Sequence, residues 1–167
     1  MARVRPEATA ADAALARRLM AAADAAALAV IQPSGAPYTA LTTPALAPDG
    51  APLVLASDLS AHGEALAADG RASLLFWDAI DPAEPLRAAR LTVAGRAGPA
   101  TPEDRSAYLA RRPAAHAYID FGDMRLYRIG LESAHLVAGF GRAVALPTAM
   151  LLTGDGARDI GPQSRGK

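Results

Sequence analysis

Ala27–Ser57 reads ALAVIQPSGAPYTALTTPALAPDGAPLVLAS. Leu28, Val30 and Gln32 alternate with Ala29 and Ile31, the two-residue period of a half-buried strand. Pro33-Ser34-Gly35 breaks that run, and a second extended run goes from Pro37 to about Ala47. In it Tyr38, Ala40 and Thr42 share one face. Pro48-Asp49-Gly50 is a turn signal, and a third, almost wholly apolar run follows over Pro52–Ser57. Parallel neighbours need a crossover of a dozen or more residues, and these breaks leave no room for one. The stretch is therefore read as an antiparallel meander, which excludes a doubly wound sheet.

Working outward, Thr9 can cap a helix running to about Ala23, with Leu15 and Leu19 one turn apart on its apolar face and Arg17 and Arg18 on the wet one. After the meander, Ser60 caps a short helix that Gly70 stops near Asp69. Strands are expected at Ala72–Trp77 and Ala89–Gly98, separated by a loop that carries Asp78, Asp81 and Glu84. Thr101-Pro102-Glu103-Asp104 opens a third helix, which closes at Arg111-Arg112-Pro113. Two further strands are read at Met124–Ile129 and His135–Ala138, and little pattern remains from Ala143 on. Residues 1–150 are taken as one domain, mainly β with peripheral helices, and 151–167 as a disordered tail.

The composition supports a single core. The 167 residues are 51% hydrophobic and 20% charged, and 17 basic side chains balance 17 acidic ones. That balance argues against nucleic acid as a partner. The absence of cysteine removes disulfides, thiolate metal sites and cysteine nucleophiles. Three histidines, His62, His116 and His135, fall at no metal-binding spacing, so no metal site is expected. No stretch reads as a signal peptide or membrane span, and the expectation is a cytoplasmic chain without membrane contact.

Chemistry concentrates at Ser57-Asp58-Leu59-Ser60-Ala61-His62. A strand ends there on one hydroxyl, and a helix opens with a second hydroxyl and an imidazole. The unpaired first-turn amides and the positive end of the helix face the same volume, which suits a phosphate. The plainer reading is a capped surface helix with a solvent-exposed histidine. Arg90 and Arg96 share the strand face opposite Leu91 and Val93, and a cation so placed calls for an acceptor. Gly139-Phe140-Gly141-Arg142 reads either as a ligand-lining loop or as a tight turn. No residue stands out as a general acid or base.

With those pieces in order, the chain resembles the pyridoxamine-phosphate-oxidase-like, FMN-binding split barrels. The resemblance rests on Ser57–His62, Arg71-Ala72-Ser73-Leu74-Leu75-Phe76 and Pro85-Leu86-x-x-x-Arg90-Leu91-Thr92-Val93-x-Gly95-Arg96-Ala97. It extends through Tyr108-Leu109-x-Arg111-x-Pro113, Phe121-Gly122-Asp123, Leu126-Tyr127-Arg128 and Ala134-His135-Leu136-Val137-x-Gly139-Phe140-Gly141-x-Ala143. Within that family it is most similar to the HugZ-type haem-utilisation branch. The resemblance implies a six-stranded antiparallel split barrel that forms a homodimer with FMN at the interface. It implies an FMN-dependent oxidoreductase acting on a small substrate, with haem as the alternative ligand and non-catalytic flavin binding as a further one. It places Ser57, Ser60 and His62 at the phosphate, Thr42 and Thr43 beside the flavin and its ribityl chain, and Arg90 at the pyrimidine edge. Ala61 stands where the oxidases carry arginine, and the chain lacks their C-terminal tryptophan–arginine segment, so pyridoxamine-phosphate oxidation itself is not expected. The segment after His135 has no histidine to offer a haem.

Overall fold

A computed structural model describes residues 6–139 and 141–153. Phe140 and residues 154–167, most of the stretch read as a tail, lie outside the described residues.

The first helix, α1 (Ala10–Ala22), begins where expected. Thr9 accepts from the Asp12 amide, and the Asp12 carboxylate accepts from the Thr9 amide, a reciprocal capping box. One face, Ala13, Ala16, Leu19 and Met20, is buried, while Arg17 and Arg18 face water. The meander follows as β1 (Ala26–Ile31), β2 (Pro37–Thr42), β3 (Ala45–Leu46) and β4 (Pro52–Ser57). The second extended run is thus two strands, because Thr43-Pro44 interrupts it. Proline has no amide to donate to a ladder.

The chain continues through α2 (Ala61–Ala68), β5 (Arg71–Trp77), β6 (Arg90–Pro99), α3 (Pro102–Arg111), β7 (Met124–Val137) and β8 (Ala143–Leu146). Gly70, at φ +74°, takes the left-handed conformation that ends α2. Every strand pairing is antiparallel, in the order β2-β1-β5-β6-β7-β4-β3, with β8 added beside β7. The two ends of this path, β2 and β3, are joined by only Thr43 and Pro44. A sheet whose edge strands are consecutive in the chain must curl until those edges meet, so it forms a split barrel.

Three expectations need correcting. Among the described residues the sheet has eight strands rather than six. Met124–Ile129 and His135–Ala138 are parts of one 14-residue strand, whose first half pairs with β4 and whose second half pairs with β8 along the same edge. The stretch after Ala143 carries a real strand, with Val144 and Leu146 buried between exposed Ala143 and Ala145. Alanine on the wet face had blurred that alternation.

The barrel is filled by Leu28, Val30, Val54, Leu74, Phe76, Leu91, Val93, Ile129 and Leu136, with α1 and α2 closing it. A second cluster, Leu53, Tyr108, Leu109, Ala115 and Ile119, packs α3 and the following turn on the outside of β3 and β4. Strand β4 is therefore buried on both faces, Val54 inward and Leu53 outward, which explains its unbroken apolar run. Leu151 is buried in the barrel cluster, and the Thr153 amide donates to the Asp49 carbonyl at 2.8 Å.

Candidate functional site

Strand β4 ends at Ser57, opposite Met124 of β7. The ladder runs one step further, where the Asp58 amide donates to the Asp123 carbonyl at 2.7 Å. The chain then turns sharply, with the Ser60 amide donating to the Ser57 carbonyl at 2.9 Å, and α2 begins. Ser60 is its N-cap: Oγ accepts from the Gly63 amide at 3.1 Å and donates to the Ser57 carbonyl at 2.7 Å. Only glycine fits at 63, since a Cβ there would lie 2.0 Å from the Ser57 carbonyl oxygen. The first turn of α2 is thereby pressed onto the end of the strand.

Ser57 Oγ donates to the Asp123 carboxylate at 2.5 Å and accepts from the Leu59 amide at 3.1 Å. These two bonds fix Ser57 in the turn. His62 Nε2 lies 3.4 Å from Ser60 Oγ, and partial burial pulls the imidazole below its ordinary pKa. Asp58 is paired with Arg125 at 3.2 Å. An anionic group at this helix start can be met by the Ser60 hydroxyl, the His62 imidazole and the first-turn amides of α2, which have no partner within the helix. This donor set fits a phosphate monoester.

Thr42 is buried at the end of β2 opposite Ala26, and Thr43 is exposed. Ala45 pairs with Leu53, so two residues back along the chain Thr43 stands level with Leu55, two short of Ser57. Helix α2 packs against β1, β2 and β4, spanning the split. Thr42 and Thr43 thus lie at the joint between β2 and β3, and Ser57, Ser60 and His62 at the junction of β4 and α2. Arg90 opens β6, paired with Trp77 of β5 and with Val137 of β7. That is the same end of the sheet as Thr42, which pairs with Ala26 of β1, while Ser57 pairs with Met124 at the other end of β7. The Arg90 guanidinium donates to the Leu86 and Ala88 carbonyls at 3.0 and 3.2 Å.

Of the remaining candidates, His116 lies exposed in a short 3-10 turn and His135 exposed on β7. Arg142 reaches the buried Asp12 carboxylate with two nitrogens, which makes it a latch between α1 and the start of β8. No group of three metal-ligating side chains occurs among the described residues. No helix among them is long and apolar enough to cross a membrane.

Comparison with known families places residues 13–137 under the model for pyridoxamine 5′-phosphate oxidase. The chain belongs to this family. No curated protein matches it. Among solved structures, one with a TM-score of 0.80 is 39% identical; the match covers 89% of this chain and all of the other. A heme binding protein from Mycobacterium smegmatis is 33% identical with a TM-score of 0.77, over 89% of this chain and 61% of that one. A protein of unknown function from Agrobacterium tumefaciens is 30% identical with a TM-score of 0.75, over 92% and 66%. The chain therefore spans less than two thirds of the length of the last two.

Two groups of residues around the site of this pyridoxamine-phosphate-oxidase family member escaped sequence reasoning. Asp123 and Arg125 meet Ser57 and Asp58 from 66 and 67 residues downstream, a juxtaposition no local spacing encodes. Tyr108 and Arg112 bond to the carbonyls of Thr43 and Pro44. Their signal lies in the Tyr108–Pro113 motif, in which Arg112 reads as one more basic residue closing a helix.

Proposed function

We propose that this protein binds FMN and acts as an oxidoreductase on a small substrate, as a homodimer. The observation that carries the reading is the convergence of the Ser60 hydroxyl, the His62 imidazole and the open amides of α2 at the end of β4. Family membership makes a flavin phosphate the natural occupant. When bound, the flavin supplies hydride or single-electron transfer.

The chain's own residues bind and orient. By turning its proton from the Ser57 carbonyl, Ser60 donates to the phosphate while still capping α2 through the Gly63 amide. His62 adds charge when protonated. Ser57, held by Asp123, fixes the turn that presents both. Thr42 and Thr43 line the opposite lip of the split. Arg90 would stand at the pyrimidine edge, as the resemblance implies, where a cation would favour the anionic reduced flavin. Exposed Leu59 (88%), Leu41 (73%) and Phe121 (60%) support a partner, since a flavin site rimmed by bare apolar side chains gains by covering them.

The test is the visible spectrum of the purified protein, followed by FMN titration and sedimentation. We expect flavin absorbance or saturable quenching of FMN fluorescence, in a dimer. A colourless monomer without measurable FMN affinity defeats the reading. The similarity to a mycobacterial heme binding protein favours haem as the second reading. Haemin added in the same experiment then gives a Soret shift that substitution of His62, His116 or His135 abolishes, and no shift removes this alternative.

A further inference from the structure

Arg112 is the most heavily bonded cation near the split. Its side chain is 16% exposed, yet it is the hub of three segments distant in sequence. Nε and Nη2 donate to the Pro44 carbonyl at 3.0 and 2.8 Å, Nη2 also donates to the Ala23 carbonyl at 2.8 Å, and Nη1 lies 3.4 Å from Asp24. Beside it, the buried Tyr108 hydroxyl donates to the Thr43 carbonyl at 3.1 Å. Both carbonyls on the C-terminal side of Thr43 are thus held by α3 and the turn after it. The following proline already restricts Thr43 to extended backbone.

The consequence falls on one side chain. Thr43 belongs to neither β2 nor β3, so no ladder orients it, and its side chain is exposed. A joint between two strands of a split sheet would ordinarily be the loosest point of the rim. Here it is pinned by a nearly buried guanidinium and a buried phenol, whose donors would otherwise go unsatisfied. The planar fork of arginine suits bonding to two carbonyls at once, which a lysine cannot reproduce.

We propose that Arg112 and Tyr108 are positioning residues that hold the Thr43 hydroxyl in a fixed orientation on the lip of the cofactor site. The idea rests on the flavin reading above. It requires that the two clamp residues touch no ligand and act only through Thr43. It also sets the width of the split, since Thr43-Pro44 is the only covalent joint between its two edges.

Two measurements on the full chain test the proposal and separate it from the flavin reading. The first needs no ligand: NMR relaxation of the Thr43 methyl in wild type, Arg112→Lys and Tyr108→Phe. We expect a rigid methyl in wild type and a mobile one in both variants; a methyl equally ordered in all three overturns the clamp. The second is FMN affinity, measured well below the melting temperature of each variant. Arg112→Lys, Tyr108→Phe and Thr43→Val should each weaken binding about tenfold, the size of one lost hydrogen bond. Thr43→Val added to Arg112→Lys should cost little more, because the clamp acts through that hydroxyl. Full additivity, or unchanged affinity in the clamp variants, overturns the positioning role. If wild type binds no FMN but the methyl loosens as expected, the flavin reading fails and the clamp stands.

Discussion

His62 lies in the first turn of α2, half-buried, with Nε2 within 3.4 Å of the Ser60 hydroxyl. Burial disfavours its cation, so the imidazole is neutral at pH 7 unless an anion arrives. A phosphate would reverse that bias by placing full negative charge beside the ring. FMN affinity should therefore rise as pH falls from neutral through about pH 6, since burial places proton uptake by the free protein below the ordinary histidine range and a bound phosphate raises it. His62→Gln should bind more weakly at pH 6 and show a flat profile. FMN fluorescence quenching across that range checks it, and a variant that keeps the wild-type slope would remove His62 from the site. Ser57, the other hydroxyl at this turn, donates to a carboxylate 66 residues away.

Among the elements, β7 does the most work, because three other strands are fastened to it. Arg128 on this strand bridges the carboxylates of Asp49, in the turn before β4, and Asp104, in the capped first turn of α3. Asp104 is 2% exposed, so removing the guanidinium strands a buried charge. Breaking one side of a buried pair typically costs about 3–5 kcal/mol. Arg128→Ala should lower unfolding stability by about 3 kcal/mol, the lower end of that range because Arg128 itself is partly exposed. Urea denaturation measures it, and a loss below about 1 kcal/mol, the value of a surface pair, would show that the bridge carries little. The capping box at Thr101 was legible from four residues, whereas this bridge between three elements was not.

Across the whole molecule, a latch ties α1 to the segment before β8. Asp12 is buried at the start of α1, and Arg142 reaches it from just before β8. The Arg142 guanidinium, with help from Thr9, holds the Asp12 carboxyl well below the usual carboxylate range. The unfolded chain takes up this proton near pH 4, before the folded one does. The stabilisation is therefore complete above the unfolded value and disappears as pH falls through the folded one. Arg142→Gln should be less stable than wild type at pH 6, with the gap narrowing toward pH 2. Urea midpoints at a series of pH values read this out, and a gap constant with pH would refute it.

The residues alone settled what local physics settles. Two-residue alternation with short breaks specified an antiparallel meander, Thr9, Ser60 and Thr101 specified three helix starts, and a strand ending in Ser57 before a capped helix marked the anion-ready turn. Each depends on interactions spanning a few residues, so each is written in consecutive letters. Tertiary structure alone decided that β2 and β3 close the barrel, that β7 is one strand, that Asp123 claims the Ser57 hydroxyl and that Tyr108 and Arg112 hold the Thr43 and Pro44 carbonyls. Those outcomes depend on which distant segments become neighbours when the sheet curls, and a hydrogen bond across 60 or more residues leaves no periodic trace in the chain.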